Sequence, residues 1–252
     1  GGFMIKIKSA HEVEQMRVAG RITAETFEAL KDHIKPGVTT MELDKIAAEY
    51  ISKSGATCSF YHYNGYPGHI CISVNQEVVH GIPSHARVLH EGDIVSVDIG
   101  AVYGGYHGDA ARTYAVGTIS PEAEKLISVT KQSFFEGIEQ AVSGNRLFDI
   151  SANIQKFVES NGCSVVRALV GHGVGRNLHE DPEVPNFGTA GRGPRLVSGM
   201  TIAVEPMVNL GTYKVITLPD EWTVVTADGK LSAHYENTIL ITDHGAEILT
   251  KC

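Results

Sequence analysis

The sequence predicts a mixed α/β fold of the α+β kind, built from two similar halves that share one site. Two observations carry this. The order helix, helix, loop, strand occurs twice, and the matching segments lie at one constant offset. Gly37 to Gly55 encloses one helix and Gly144 to Gly162 another of the same length, shifted by 107 residues. Val88 to Asp98 (VLHEGDIVSVD) aligns with Arg195 to Glu205 (RLVSGMTIAVE) at that same shift of 107. Identities are few, but two separated segments sharing an offset point to an internal duplication. The expected organisation is one domain over residues 4–252, with pseudo-repeats of about 4–118 and 119–252. Gly1-Gly2-Phe3 ahead of Met4 reads as a cloning scar and is set aside.

The elements follow in order. From Ser9 to Ile34, the residues Val13, Met16, Ile22, Phe27 and Leu30 recur near the helical period. Ser9 with Glu12 has the form of a capping box, and Lys35-Pro36-Gly37 ends the helix. Thr39 or Thr40 caps a second helix through Leu43, Ile46, Ala47 and Ile51. A loop rich in Tyr, His and Gly leads to a strand over Ile70–Val74, then to His80-Gly81-Ile82-Pro83, which must turn. The stretch Gly92 to Arg112, GDIVSVDIGAVYGGYHGDAAR, reads as strand, tight turn, strand. With Tyr103-Gly104 as the central turn residues, Asp98 and Asp109 lie opposite each other, Cβ atoms about 4.5–5.5 Å apart.

In the second half, Pro121 starts a helix through Leu126, Phe134 and Ile138 that ends near Ser143-Gly144. Another runs through Phe148, Ile154 and Phe157 to Gly162. An apolar run from Val165 to Val170 precedes a turn at Gly171-His172-Gly173, and the strand Met200–Val204 ends on Glu205, the counterpart of Asp98. An added hairpin follows, Tyr213 to Leu218 and Glu221 to Thr226, closed by Asp228-Gly229. The return strand Ala233–Ile241 puts Glu236 where an acid corresponding to Asp109 falls.

Composition narrows the function. Of 252 residues, 42% are apolar and 20% charged, with a formal net charge of −8. That is the balance of a globular protein with a sizeable core and leaves no basic footprint for nucleic acid. No run reaches about 18 apolar residues, so no membrane helix is expected, and no secretory leader is recognisable. Cys58, Cys71, Cys163 and Cys252 have neither metal-knuckle spacing nor the density of a disulfide scaffold. They suggest a reducing, cytoplasmic setting.

Asp98, Asp109, Glu205 and Glu236 lie in or beside strands of strong β-propensity. A pair such as Asp98 and Asp109 must face water, hold a proton or bind a cation. Four converging carboxylates favour the cation, because uncompensated buried charge is strongly destabilising. His172 adds a nitrogen ligand, which points to Mn, Fe, Co, Zn or Ni rather than Ca. One histidine and four carboxylates suit two metals about 3.5–4 Å apart sharing a bridging water. His80 and His179 are not needed as ligands and are free to act on substrate.

These residues carry a recognisable pattern. Asp98 and Asp109 eleven apart, Gly171-His172-Gly173-Val174-Gly175 followed by His179-Glu180, then Glu205-Pro206 and Glu236, together resemble the type I methionine aminopeptidases over essentially the whole chain from Met4. The resemblance implies the pita-bread fold, two pseudo-twofold-related α+β halves around a central antiparallel sheet. It implies metal-dependent removal of the N-terminal methionine from nascent polypeptides with a small second residue. Asp98 would chelate one metal, His172 and Glu205 the other, and Asp109 and Glu236 would bridge two divalent ions, Mn, Fe, Co or Zn. A metal-bridging water or hydroxide would attack the scissile carbonyl with Glu205 accepting its proton. His179 would stabilise the oxyanion and His80 contact the scissile amide. The methionine pocket would be formed by Tyr63, Tyr66, Cys71 and Trp222, with Phe60 and Leu178 beside them. Gly100 stands where many bacterial members have a hydroxyl residue, and Leu178 where many have phenylalanine. No zinc-binding extension or long helical insertion is seen, as in a minimal bacterial form. A cytoplasmic monomer that meets its substrate at the ribosome, with no nucleic-acid or membrane partner, is the corresponding expectation. The rival readings are a proline-specific peptidase (Xaa-Pro aminopeptidase or prolidase) on the same fold and a non-catalytic binding module on that scaffold.

Overall fold

Both capping boxes form as the local sequence dictates. Ser9 accepts from the Glu12 N–H while the Glu12 carboxylate accepts from the Ser9 N–H, and Thr39 and Glu42 repeat the arrangement. A computed structural model describes residues 4–252. Residues 1–3, read above as a scar, lie outside the described residues.

The first half contains α1 (Ala10–Lys31), α2 (Thr40–Lys53), β1 (Thr57–Cys58), a short 3-10 turn (Tyr63–Gly65), β2 (Cys71–Val74), β3 (Glu77–Val79), β4 (Ile94–Tyr103) and β5 (Tyr106–Ala115). The second half opens with α3 (Pro121–Ile138), α4 (Leu147–Ser160), β6 (Ser164–Val165), β7 (Gly171–Gly173), β8 (Glu180–Val184), β9 (Thr201–Val204) and β10 (Met207–Asn209). It closes with β11 (Val215–Thr217), β12 (Val224–Thr226), β13 (Ser232–His234), β14 (Asn237–Thr242) and β15 (Gly245–Ile248). Among these strands every pairing is antiparallel. One sheet runs β1-β4-β2 with β5 against β4, and another runs β15-β14-β9-β7-β8. The added hairpin β11-β12 pairs with β3 of the first half.

The two halves match in detail. Helices α2 and α4 have bounds that differ by 107 at both ends. The Gly37 N–H donates to Leu89 O at 2.8 Å and the Gly144 N–H to Leu196 O at 2.9 Å; Leu89 N–H to Val38 O and Leu196 N–H to Asn145 O, both 2.8 Å, repeat the correspondence. Each half packs its helices on its own sheet. Leu30, Leu43, Ile51, Val97 and Ile99 fill the first core, and Leu126, Phe134, Leu147, Ile154 and Ile202 the second. All are fully buried, each contributing about 1.5–3 kcal/mol of hydrophobic stabilisation.

Three local expectations are corrected. The hairpin turn is Gly104-Gly105, not Tyr103-Gly104: both glycines have positive φ, +58° and +82°, as a type I′ turn requires. Asp98 therefore faces Ala111, and Asp109 faces Gly100. The two acids are diagonal neighbours on one face, about 7–8 Å apart at their Cα atoms. Gly171-His172-Gly173 is not a turn but a central strand between β8 and β9. Its glycines are required by contact, since a Cβ on Gly171 would lie 2.2 Å from Ala203 O and one on Gly173 2.2 Å from Asp181 O. Helix α3 stops at Ile138 rather than near Ser143, whose N–H is taken by Thr242 O at 3.0 Å. The apolar run Val165–Val170 contributes one residue, Val165, to β6.

The return strand breaks between β13 and β14. There Glu236 and Ala111 exchange backbone hydrogen bonds, 3.0 and 3.2 Å, stitching the second half to β5 of the first. The Thr238 hydroxyl adds bonds to the Asp109 carbonyl and from its N–H, 2.8 and 3.0 Å.

The two kinds of glycine predict different costs. Gly105→Ala, with open space around it, should lose about 1 kcal/mol through its positive φ. Gly171→Ala should cost more, about 1–3 kcal/mol, through forced displacement of β9. Urea midpoints measure both; equal losses would refute the close-contact account of β7.

Candidate metal centre

Five strand segments deliver the titratable groups to one place. Asp98 comes from β4, Asp109 from β5, His172 from β7, Glu205 from the end of β9, and Glu236 from the break before β14. His172 Nε2 lies 3.3 Å from Asp109 Oδ2 and 3.9 Å from Glu236 Oε1. Its Nδ1 is 2.9 Å from the carbonyl of Gly173. A carbonyl only accepts, so Nδ1 carries the hydrogen and Nε2 of the neutral ring presents a lone pair to the carboxylates. A lone pair facing a carboxylate oxygen is tolerable only if a proton or a cation intervenes.

The structure adds His234, to which sequence reasoning gave no role. Its Nε2 stands 3.4 Å from Glu205 Oε2 and 4.0 Å from Glu236 Oε2. A signal was present: both return strands read histidine, any residue, acid, as His107-Gly108-Asp109 and His234-Tyr235-Glu236. Alternation along a strand puts such a histidine on the same face as the acid. Ligand atoms of Asp98, Glu205, His234 and Glu236 form one compact group and those of Asp109, His172 and Glu236 another, each within 4.8 Å. Glu236 belongs to both. Glu205 thus sits with Asp98 and His234, whereas the resemblance groups it with His172.

Electrostatics show how unbalanced the cluster is without added positive charge. Burial, then the charges of Asp109 and Glu205, push Asp98 well above the ordinary carboxylate range. Burial again, then Asp109, Glu205 and Asp98, push Glu236 up as well. Burial opposes the charge on Glu205 too, yet His234 and then His172 hold it down at about 2. Burial also works against the charged form of His172, which Asp109 and Glu205 nonetheless raise to about 9. Asp98 Oδ1, Asp109 Oδ1, both Glu236 oxygens and His234 Nε2 are buried with no hydrogen-bond partner. Such orphaned acceptors cost free energy unless something satisfies them. The donor set, carboxylate oxygens and imidazole nitrogens, fits divalent transition ions.

A cavity of about 270 Å³ opens onto this cluster, at the small end for a ligand pocket. Asp98, Asp109, His172 and Glu205 line one end, and Phe60, Tyr66, Cys71, Leu178 and Trp222 the other. His80, Tyr63 and His179 line it as well, so every site residue expected from sequence is at the cavity or, like Glu236, beneath it. Tyr66 is fixed by its hydroxyl, which lies 2.9 Å from Ile70 O and 3.0 Å from Gly81 O, and meets Trp222 edge-on at 5.1 Å. His179 Nδ1 is 2.8 Å from the Tyr63 hydroxyl. Burial, then the charge of His172, depresses His179 to about 4, and burial likewise lowers His80. Both rings are neutral near pH 7. Gly100 also has a reason here: a Cβ would come within 2.7 Å of the Ser59 side chain and 3.2 Å of the Phe60 ring.

Two outcomes follow. A carboxyl with a raised native pKa binds its proton more tightly folded than unfolded. Metal-free protein should therefore lose stability as pH rises from about 4.3, the unfolded-state value for Glu. Glu236→Gln removes one such group, so in chelator its urea midpoint should fall less between pH 5 and pH 8 than that of the parent. An equal fall would contradict the crowding described. Saturating Mn or Co, at about 100 times its dissociation constant, should raise stability by about 2.7 kcal/mol; calorimetry on Glu236→Gln should show that binding weakened.

Comparison with known proteins agrees with this geometry. Residues 14–243 match metallopeptidase family M24. The chain is 61% identical over 249 residues to a methionine aminopeptidase of Clostridium acetobutylicum, covering 99% of this chain and 100% of that one. The crystal structure of a methionine aminopeptidase from Thermotoga maritima superposes with a TM-score of 0.98 at 48% identity, covering 99% of this chain and 100% of that one. An Xaa-Pro dipeptidase from Bacillus anthracis shares the fold at a TM-score of 0.78 and 25% identity, with 98% of this chain matching 62% of that one. The chain belongs to metallopeptidase family M24 and, within it, to the methionine aminopeptidases.

Proposed function

We propose that the chain hydrolyses the peptide bond after an N-terminal methionine, with the methionine side chain in the apolar end of the cavity and the scissile bond over the carboxylate cluster. The observation that carries this is the cavity itself. It is closed by Phe60, Tyr66, Cys71, Leu178 and Trp222 at one end and floored by orphaned ligand atoms at the other. An apolar side chain and a hydrolysable carbonyl are thereby given adjacent places. Asp98, Asp109, His172, Glu205 and Glu236 would hold two divalent ions, with His234 against Glu205 and Glu236. When bound, those ions would supply Lewis-acid activation of water and of the carbonyl.

The chain's own groups do the rest. Glu205, held ionised, is in the form that accepts a proton from the attacking water. The neutral imidazole of His179 donates a hydrogen bond to the oxygen that becomes negative. His80 contacts the amide nitrogen that leaves. Tyr63 orients His179, and Trp222 on the loop between β11 and β12 covers the pocket. A small second residue is the finer reading of the substrate's next position. Nascent chains in the cytoplasm, met at the ribosome by a monomer, are the finer reading of the substrate and setting. The matched hydrogen bonds of the two halves support residues 4–118 and 119–252 as duplicated parts of one catalytic domain.

The deciding assay incubates metal-loaded protein with Met-Ala-Ser and with an Xaa-Pro peptide, with and without chelator. Chelator-sensitive cleavage of Met-Ala-Ser alone is expected. Cleavage of only the proline peptide would favour a proline-specific peptidase, and no cleavage with any divalent ion a binding module. Glu205→Gln should lower kcat by about 10²–10⁴; near-parental turnover would remove it from the mechanism. Trp222→Ala should raise KM about tenfold, the equivalent of about 1.4 kcal/mol, with a smaller change in kcat.

A further inference from the structure

The reaction leaves one buried ionic group without a task. Lys8, ahead of α1, and Glu180, the first residue of β8, form an ion pair with Nζ 2.7 Å from Oε2, both side chains only 4% exposed. An ion pair so far from water loses much of its attraction to desolvation, so it is a poor device for stability alone. Its surroundings suggest another use. Glu180 directly follows His179. Its other oxygen, Oε1, accepts from the Asn177 N–H at 3.2 Å, so this carboxylate closes the loop on both sides of the histidine. Lys8 is anchored in turn, its N–H donating to Gly199 O at 2.9 Å and its ammonium also reaching Lys6 O at 3.3 Å.

The loop closes over the pair with no slack. A Cβ on Gly175 would lie 2.6 Å from both Glu180 Oε1 and Lys8 Cε. The Gly175 carbonyl accepts from the His107 N–H at 3.0 Å, two residues from Asp109, and Val174 is tied to Thr201 by bonds of 2.6 and 3.1 Å. His179 thus stands on a loop fixed at one end to β5 and β9 and at the other to Lys8. Its ring lies 4.1 Å from that of His172, centroid to centroid. With Nδ1 engaged by Tyr63, Nε2 is left for the cavity.

We propose that Lys8 and Glu180 are a positioning pair that holds His179 at the scissile carbonyl, making the segment before α1 part of the catalytic apparatus. This rests on the role given to His179 above. A shift of about 1 Å in such a group can cost about 10²-fold in rate, so the pair's effect belongs in kcat. Lys8→Met should lower kcat on Met-Ala-Ser by about tenfold or more while KM changes less than about threefold. Lys8→Arg, which keeps a cation against Glu180, should stay within about threefold of the parent in kcat. Glu180→Gln keeps the side-chain shape and an oxygen for Asn177, and should lower kcat as Lys8→Met does; it decides the matter if Lys8→Met does not fold. In zinc-loaded protein both neutralising variants should shift the imidazole ¹⁵N resonances of His179 but not those of His80. A lower melting temperature with unchanged kcat and unchanged His179 resonances would make the pair a brace of the fold only and overturn the proposal. His179→Ala run alongside separates the two claims. If it keeps full turnover, the role of His179 fails; if it loses turnover and neither neutralising variant does, the positioning role fails.

Discussion

Mutual repulsion among four carboxylates is the constraint on which this molecule turns. Asp98, Asp109, Glu205 and Glu236 come from strands that would otherwise pack as ordinary β-structure, and each is placed where water cannot solvate it freely. Coulomb energy at such separations is large in a low-dielectric interior, so the fold cannot be neutral about what compensates it. His172 and His234 supply part of the answer, one against Asp109 and the other against Glu205. The remaining orphaned oxygens are what give the site an appetite for divalent ions.

Holding repelling groups together demands a stiff frame, and the frame is mostly backbone. The exchange between Ala111 and Glu236 joins the halves at the point where each contributes an acid. Arg112 reinforces it, donating to the Glu236 carbonyl at 2.6 Å and to Asn237 Oδ1 at 2.7 Å, with its guanidinium stacked over Tyr235 at 4.5 Å. A planar donor fork suits this use, because it fixes both direction and distance. Stability from the two apolar cores is spent on keeping ligand atoms closer than they would choose to be.

How much of this was legible depended on whether the cause was local. The capping box at Ser9, the cap at Thr39 or Thr40 and the repeat at an offset of 107 are written in the sequence, and the structure has a capping box at Ser9, a cap at Thr39 and matched helices at that offset; the five expected ligands are brought to one cluster. The hairpin register is not legible locally, because Tyr103-Gly104 and Gly104-Gly105 are both acceptable turn pairs. The actual one is decided by the strands' pairing over ten residues. Gly171-His172-Gly173 read as a turn because glycine usually signals backbone freedom, whereas here it signals neighbours at van der Waals distance, a tertiary fact with no local mark. His234 leaves a weaker mark, because the duplication pairs acid with acid and the histidine two residues before each acid emerges only once that pairing is made. The ion pair of Lys8 and Glu180 spans most of the chain and leaves no trace in either segment.

Gly171 and Gly173 end β7 on either side of His172, and Gly175 stands in the loop just beyond it. Each is pressed against something that cannot yield easily: a carbonyl of β9, a carbonyl of β8, and the Lys8–Glu180 pair. His172 is held between the first two. In engineering terms the strand is a shim, a spacer whose thickness sets the alignment of the part it carries. One carbon added at either glycine would be transmitted as displacement of the imidazole, because the flanking backbone leaves no clearance to absorb it. The tolerance of the metal centre is thus set by side-chain atoms that are absent on either side of the histidine.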